Sequence, residues 1–314
     1  MCDIIICDSG IVKNQTDYVK TYDVGYGTYD THGHGSSLIE IVHKINKELK
    51  IASIRILDEN NEGNVEGLIL ALDKCLELDA KVICLALSID QSIIENGELE
   101  EAIEDVYNSG KIVVAALQNR ATYSIPAGYK EVIGVKAVEI TEGNSHFYYL
   151  NEKIQCALPI EDFYWKSIRD EYGRLGGNSV ACALAAEHVA NIVKKKEDIS
   201  FYNIEKLLTK QFANDLNYFS LFDIQNVDTK EKTQISKTIN DIDKVFGIDD
   251  SDGLIISKMK NFYQFKEYLR ELENRGFSIN NNTFIRKRNV FSVDSLANYL
   301  AKQKKCGDTA NDKK

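Results

Sequence analysis

The sequence lacks any apolar run near the roughly 18 residues that a membrane-spanning helix needs, the longest being short stretches such as Val82–Leu87 and Ile112–Leu117. Its N-terminus also lacks the basic, apolar and small-residue pattern of a secretory signal peptide. With 2 prolines and 19 glycines in 314 residues it is neither collagen-like nor of low complexity, and 44% hydrophobic residues exclude wholesale disorder. These absences predict a globular protein with no membrane partner.

The cysteines show neither a disulfide pattern nor a metal-binding pattern. They number seven, which is odd, and no two are spaced Cys-x-x-Cys. Several lie in apolar runs, where a buried thiol is the usual outcome, and the five histidines do not cluster with them. We therefore expect reduced thiols in a cytoplasmic protein, with no bound metal and no cofactor.

The formal net charge of −10 is divided unevenly along the chain. Residues 1–225 carry 21 basic and 35 acidic side chains, whereas residues 226–314 carry 17 basic and 13 acidic ones. Because nucleic acids attract basic surfaces, the acidic first part argues against a nucleic-acid partner. The change of sign also indicates that the two parts have separate roles.

Short apolar strands alternate with helices through the first two thirds of the chain. This alternation predicts an α/β fold, with a mostly parallel sheet and helices on both faces. In such sheets functional groups gather at the carboxyl ends of the strands. Strands are predicted near residues 3–7, 51–57, 82–87, 112–117 and 132–138, and helices near residues 36–49, 65–78, 99–109 and 179–194.

The polar stretch 226–234 reads as a linker between two domains. Residues 1–225 would then form the α/β domain, residues 235–303 a small all-α domain, and residues 304–314 a flexible tail. Three helices are predicted in the second domain, near residues 235–246, 262–274 and 293–302.

Four polar residues are candidates for chemistry, although each also has an ordinary structural interpretation. Asp8 belongs to a turn pattern, His32 to a flexible glycine-rich loop, Asn119 to a turn, and Ser179 to a helix N-cap. A metal site at His32 and His34 is a poorer interpretation, because no third ligand is suggested.

Taken together, these residues resemble the subtilisin-like serine peptidases. The chain order Asp, His, Ser, with an Asn between the last two, is that of the subtilisin triad and differs from the chymotrypsin and α/β-hydrolase orders. The segments that carry the resemblance, within about residues 3–210, are Asp8-Ser9-Gly10, His32-Gly33-His34, Ala115–Asn119, Ile125-Pro126-Ala127, Val132–Val135 and Gly177–Ala181.

The resemblance implies an acyl-enzyme mechanism. Ser179 would attack the peptide carbonyl, His32 would take its proton, and Asp8 would orient His32. Asn119 and the Ser179 amide would hold the oxyanion. The residues implied to pair with a peptide substrate are Leu85, Ala86, Leu87 and Ser88.

The sequence also departs from the family pattern. Gln118 replaces a Gly, Asn178 replaces a Thr, and Ala183 replaces a Pro. These departures keep open a second function, an inactive scaffold that binds a peptide or a biosynthetic partner enzyme. The short connection from Asp8 to His32 leaves little room for the calcium-binding loops of secreted relatives, so no calcium requirement is expected.

Residues 235–303 more loosely resemble an acyl-carrier-protein-like helical bundle. In the best register, Asn261-Phe262 takes the place of the serine that bears phosphopantetheine in carriers, so no prosthetic group is expected. The resemblance implies a surface for a substrate peptide, a partner enzyme or the peptidase domain itself. A plain helical appendage is the alternative.

The sequence therefore predicts a cytoplasmic subtilisin-like serine endopeptidase that acts on a specific peptide or protein. By analogy with small cytoplasmic members of the family, leader-peptide removal from a ribosomally made peptide is one candidate role. The acidic peptidase part favours a basic peptide substrate, because a field of one sign attracts the opposite sign.

Overall fold

The chain forms two compact units, one of residues 1–161 and 175–221 and the other of residues 162–174 and 222–314. The sequence predicts a boundary after residue 225, whereas in the structure residues 162–174 also belong to the second unit. The computed structural model describes residues 2–89, 97–119, 121–138, 147–148, 154–159, 163–166, 172–196, 199–212, 229–248, 255, 259, 261–277, 279, 285–286 and 293–301.

An eight-stranded sheet forms the centre of the first unit. Its order is β2-β3-β1-β4-β5-β6-β8-β7, and all neighbours pair in parallel except β7 and β8. This confirms the predicted α/β class with a mostly parallel sheet. The strands are β1 (Ile4–Asp8), β2 (Val19–Tyr22), β3 (Ile51–Arg55), β4 (Val82–Leu85), β5 (Ile112–Ala116), β6 (Val132–Val138), β7 (Phe147–Tyr148) and β8 (Cys156–Pro159).

Helices cover both faces of this sheet. The central strands β1, β4 and β5 are buried at every position, as expected for strands covered on both sides. Ile5 and Cys7 pack with residues of α2 and α3, whereas α1 and α4 contact one another and β1. The helices are α1 (His34–Ile45), α2 (Val65–Glu77), α3 (Glu98–Asn108), α4 (Gly177–Lys195) and α5 (Phe201–Phe212).

The second unit combines helices with a small sheet. Its helices are α6 (Thr229–Val245), α7 (Phe262–Asn274) and α8 (residues 293–301), which enclose a core that includes Ile239 and Tyr268. A sheet of order β10-β9-β11 joins strands from distant parts of the chain: β9 (Phe163–Lys166), β10 (Tyr172–Leu175) and β11 (Ile285–Arg286).

Two expectations about this unit need adjustment. A purely helical domain does not describe it, because β9 pairs antiparallel with β11. The proposed linker at 226–234 overlaps α6, which already begins at Thr229.

The tail expected at 304–314 lies outside the described residues. Within the described ranges, no helix is long and apolar enough to cross a bilayer.

Candidate active site

The candidate residues lie where three neighbouring strands end. Asp8 is the last residue of β1, Ala86 directly follows β4, and Asn119 comes three residues after β5. Since β1, β4 and β5 are adjacent and parallel, their carboxyl ends meet at one edge of the sheet. The topology therefore places these side chains on the same edge.

Asp8 and His34 form a buried pair at this edge. Nδ1 of His34 lies 2.7 Å from Oδ1 of Asp8, a hydrogen bond in which the imidazole N–H donates to the carboxylate. The two side chains are 11% and 1% exposed, respectively. The same carboxylate oxygen accepts a hydrogen bond of 2.8 Å from the Ser9 amide. Because Nδ1 of His34 is bound to Asp8, Nε2 is the ring nitrogen that can accept a proton.

The sequence predicts His32 beside Asp8, and the structure corrects this prediction by placing His34 there. The His32 side chain is exposed, and its ring centroid lies 6.3 Å from that of His34. The reason is local: α1 begins at His34, whereas His32 precedes the left-handed Gly33 and lies outside the helix. One signal was available in the sequence. His34-Gly35-Ser36 has a small hydroxyl residue in third place, as a His-Gly-Thr motif requires.

A close approach of backbones fixes this pairing. A Cβ on Gly35 would lie only 2.9 Å from the Ser9 nitrogen and 3.0 Å from the nitrogen and oxygen of Gly10. The Gly35 amide also donates to Oγ of Ser9 at 2.8 Å. Glycine therefore lets the first turn of α1 dock directly on the end of β1, and this docking places His34 on Asp8.

The environment of His34 favours its protonated form. Burial by itself lowers the pKa of the imidazole, but the charge of Asp8, its hydrogen bond and the charge of Asp30 together outweigh that effect. The pKa of His34 is therefore raised above its ordinary value. A base of this kind holds a transferred proton well.

Ser179 is the third residue of α4, so it lies in the first turn of that helix. Its Oγ donates a hydrogen bond of 3.2 Å to the carbonyl oxygen of Ala86. Amides in a first turn have no acceptor within the helix, and the helix dipole adds positive potential there. This end of α4 suits a developing negative charge next to Ser179.

Asn119 lies beside the start of α4. A Cβ on Gly177 would be 3.6 Å from Oδ1 of Asn119, which places the amide next to the turn that carries Ser179. Gly177 has φ of +67°, in the left-handed region that favours glycine. The Asn119 side chain is exposed and is therefore accessible to a substrate.

Asn178 connects the start of α4 to the sheet. Its Nδ2 donates to the carbonyl oxygen of Leu117 at 2.6 Å, and its Oδ1 accepts from the Ala137 amide at 2.7 Å. This departure from the family pattern has a structural account, because the amide side chain joins the end of β5 to β6 and holds the neighbouring Ser179 in place.

A cleft of about 520 Å³ leads away from Ser179. Of the four residues predicted to bind substrate, Ala86, Leu87 and Ser88 line this cleft, whereas Leu85 does not, because its side chain is fully buried within β4. Among the described residues that line this cleft, Glu62 is the one ionisable side chain. The described lining is Ile56, Leu57, Asn61, Glu62, Gly63, Asn64, Val65, Leu68, Ala86, Leu87, Ser88, Ile89, Asn119 and Ser179.

Metal ligands do not gather in the part of the chain that the structure describes. No three His, Cys, Asp or Glu side chains there lie close enough together to hold an ion.

Comparison with known proteins identifies the family. Residues 4–226 match the subtilase family, which covers more than half of the chain and includes Asp8, His34, Asn119 and Ser179. The chain therefore belongs to the subtilase family.

The curated relatives include proteins from several bacteria. The chain is 27% identical over 207 residues to the major intracellular serine protease of Bacillus subtilis (strain 168), covering 60% of this chain and 63% of that protein. It is 24% identical over 208 residues to thermitase of Thermoactinomyces vulgaris, covering 60% and 72%. It spans about half, 54%, of the thermophilic serine proteinase of Bacillus sp. (strain AK1), at 25% identity and 65% of this chain.

Solved structures agree in fold. A cold-adapted subtilisin-like serine proteinase superposes with a TM-score of 0.55 at 17% identity, covering 66% of this chain and 81% of that one. Sphericase gives the same TM-score and identity over 67% and 83%. These likenesses show the subtilisin-like α/β fold of the first unit.

Proposed function

We propose that the protein is a serine endopeptidase that cleaves a specific peptide or protein through an acyl-enzyme on Ser179. The hydrogen-bonded Asp8–His34 pair, at the same sheet edge as Ser179, is the observation that carries this proposal. Oγ of Ser179 attacks the scissile carbonyl while Nε2 of His34 accepts its proton. Asp8 keeps the ring in the required tautomer and stabilises the imidazolium.

The second half of the reaction uses the same groups. His34 returns the proton to the amine leaving group and then takes a proton from the water that attacks the acyl carbonyl. It delivers this second proton to Oγ of Ser179 as the bond between Oγ and the acyl carbon breaks. The Asn119 side chain and the Ser179 amide are proposed to stabilise the oxyanion in both steps. Their support is the position of Asn119 beside the first turn of α4.

A fluorophosphonate tests this proposal. An activated serine displaces fluoride from the phosphorus and gains a covalent adduct that intact-mass measurement detects. We expect one adduct on the purified protein and none on Ser179→Ala, whose melting temperature should stay close to that of the parent. An adduct that persists in Ser179→Ala would assign the nucleophile elsewhere.

An inactive scaffold is the second candidate, and one contact favours it. The Ser179 hydroxyl donates to the Ala86 carbonyl, which is not the direction needed for attack. The same measurement separates the candidates, because a scaffold without an activated serine forms no adduct. Hydroxyl rotation is fast and the acid–base pair is in place, so we favour the enzyme.

The cleft suggests the substrate class. Its described walls are part apolar and part polar, with Glu62 as the one charged side chain among them, and Arg and Lys side chains combine an apolar stem with a cationic end. We propose that a basic side chain near the scissile bond occupies this cleft. Leader-peptide removal from a ribosomally made peptide remains our more specific proposal for the biological reaction.

The helical part of the second unit is proposed to bind a substrate segment or a partner enzyme. Its support is the basic balance of residues 226–314, which contrasts with the acidic peptidase part. A candidate precursor should then be cleaved with a lower KM than a short peptide that contains only its cleavage site. Equal KM values for the two substrates would contradict the proposal.

The cysteines support action in a reducing compartment, which we propose is the cytoplasm. The six cysteines in the described part of the chain are free and buried. The closest sulfur atoms, those of Cys84 and Cys182, are 3.8 Å apart, well beyond the roughly 2.05 Å of a disulfide. Two relatives, from Bacillus subtilis and Paenibacillus polymyxa, are named as intracellular proteases.

A further inference from the structure

Asp30 is a buried carboxylate that the proposed reaction does not use. It is 7% exposed and accepts four hydrogen bonds from the segment around His34. Oδ1 accepts from the amides of His32 at 2.9 Å and Gly33 at 2.7 Å. Oδ2 accepts from the amide of Ser36 at 2.9 Å and from its hydroxyl at 2.6 Å. These four hydrogen bonds hold the backbone of residues 32–36 in place.

These contacts supply the cap that α1 otherwise lacks. The N-cap residue of α1 is Gly33, which has no side chain to accept from the first-turn amides. Asp30 takes this role from three residues upstream. It fixes both the left-handed turn at Gly33 and the first helical turn, where His34 is the first residue.

Asp30 also acts on the charge of the imidazole. The positive end of a helix dipole disfavours an imidazolium in the first turn, and His34 lies in that position. A negative carboxylate at the same helix end opposes this effect. The charges that raise the pKa of His34 are those of Asp8 from β1 and Asp30 from the preceding loop. The other titratable group nearby is His32, whose ring centroid lies 6.3 Å from that of His34.

We propose that Asp30 is a positioning residue for His34: its four hydrogen bonds fix the first turn of α1, and its negative charge faces the helix end that carries the imidazole. This inference rests on the proposed function, because it assigns His34 the role of general base. It extends that function by a second carboxylate, which acts through the backbone and through its charge without touching the substrate.

Asp30→Asn tests the charge and Ser36→Ala is its matched control. Both remove the hydrogen bond from the Ser36 hydroxyl to Oδ2. Asp30→Asn also replaces the acceptor of the Ser36 amide with an NH2 group, and it alone removes the negative charge. We expect Asp30→Asn to lower the plateau rate of fluorophosphonate labelling about five-fold, the size expected when one hydrogen bond that positions the ring is lost. In a plot of labelling rate against pH, the rise on the acidic side should shift to lower pH in Asp30→Asn. In Ser36→Ala this acid limb should stay where it is in the parent.

A purely structural role gives a different result. In that case Asp30→Asn would lower the labelling rate by the same factor at every pH. An acid limb at the same pH as in the parent would therefore overturn the inference. If Asp30→Asn does not fold, Asp30→Glu replaces it. The Glu variant keeps the charge, so its acid limb should stay in place while its rate falls, and a shifted limb would contradict the proposal.

A readout independent of turnover separates this inference from the proposed function. The imidazole of His34 can be titrated by NMR in the Ser179→Ala background, with and without Asp30→Asn. A lowered midpoint in Asp30→Asn supports the inference even if the parent protein forms no adduct. An unchanged midpoint overturns it even if the parent is an active peptidase.

Discussion

Asp8 and His34 are 26 residues apart in the chain, yet Nδ1 of His34 lies 2.7 Å from Oδ1 of Asp8. The contact exists because the first turn of α1 docks on the end of β1, with Gly35 against the backbone of Ser9 and Gly10. The acid–base pair of the proposed reaction therefore depends on one place where two backbones touch.

Gly35→Ala should disturb this docking. The added Cβ would meet backbone atoms of Ser9 and Gly10, directly after β1, at 2.9 to 3.0 Å, and backbone atoms cannot move away as a flexible side chain can. We expect a loss of about 1–3 kcal/mol in unfolding free energy, measured by denaturant titration, together with slower fluorophosphonate labelling. Unchanged stability and labelling would show that the close approach does not hold His34 in place.

The pH dependence of activity should have its acid limb above the range of an ordinary histidine. Burial lowers the pKa of His34, but the effects of Asp8 and Asp30 are together larger, so the pKa is raised above its ordinary value. Below this pKa the ring is already protonated and cannot accept the proton of Ser179. Labelling rate measured against pH should therefore rise through a midpoint above that of a free imidazole. A midpoint below it would contradict the assignment.

Stability should depend on pH in the opposite direction. A histidine whose pKa is raised by folding stabilises the folded state fully below its unfolded pKa, and this contribution is lost as pH rises through the folded pKa. His34→Gln should therefore reduce the melting temperature more at acidic than at alkaline pH. A difference that grows with pH would be inconsistent with the Asp8–His34 contact.

Asn119→Ala should lower kcat by about 10²–10³-fold, as expected when one oxyanion donor is removed. Its neighbour Gln118 offers a matched control. The Gln118 side chain is exposed. Its backbone N–H donates to Oγ of Ser124, and Gln118→Ala keeps this hydrogen bond. Equal effects of both substitutions on kcat would remove Asn119 from the oxyanion site.

Glu62→Gln should reduce the preference for a basic substrate side chain in the cleft. In a quenched-fluorescent peptide library that compares Arg with norleucine at each position, we expect one position at which the parent prefers Arg. Because Glu62 is exposed, the loss of preference should be up to about five-fold. Glu59→Gln, on the same loop but outside the cleft lining, should leave the preference unchanged.

Much of the first unit follows from the sequence, because buried parallel strands are short continuous apolar runs. The strand predicted at 132–138 is β6, and the helix predicted at 65–78 differs from α2 by one residue. The short strands β2 and β8 were missed, since their four residues each are ordered by neighbouring strands more than by local pattern.

In the second unit, too, the helices follow from the local sequence, whereas the pairing of distant strands does not. The apolar spacing of Ile235, Ile239 and Ile242 identified the buried face of α6, and the helix predicted at 262–274 has the bounds of α7. Nothing in the local sequence indicates that β9 and β11 pair, since about 120 residues separate them and only the folded chain brings them together.

Tertiary information settles the choice between the two histidines. In His32-Gly33-His34-Gly35 each histidine precedes a glycine, and the one local difference is that a small hydroxyl residue, Ser36, comes in third place after His34 alone. The structure separates them by one backbone contact: Gly35 packs against β1, whereas Gly33 has a left-handed conformation that precedes the helix. The bridging role of Asn178 likewise depends on Leu117 and Ala137, which are distant in sequence.

The most direct test of this account compares the two histidines in one labelling experiment. His34→Ala and His32→Ala are each treated with a fluorophosphonate beside the parent protein, and the rate of adduct formation is followed by intact mass. The expected result is labelling about 10³- to 10⁴-fold slower in His34→Ala and close to the parent rate in His32→Ala. Loss of labelling in His32→Ala with a normal rate in His34→Ala would contradict the account.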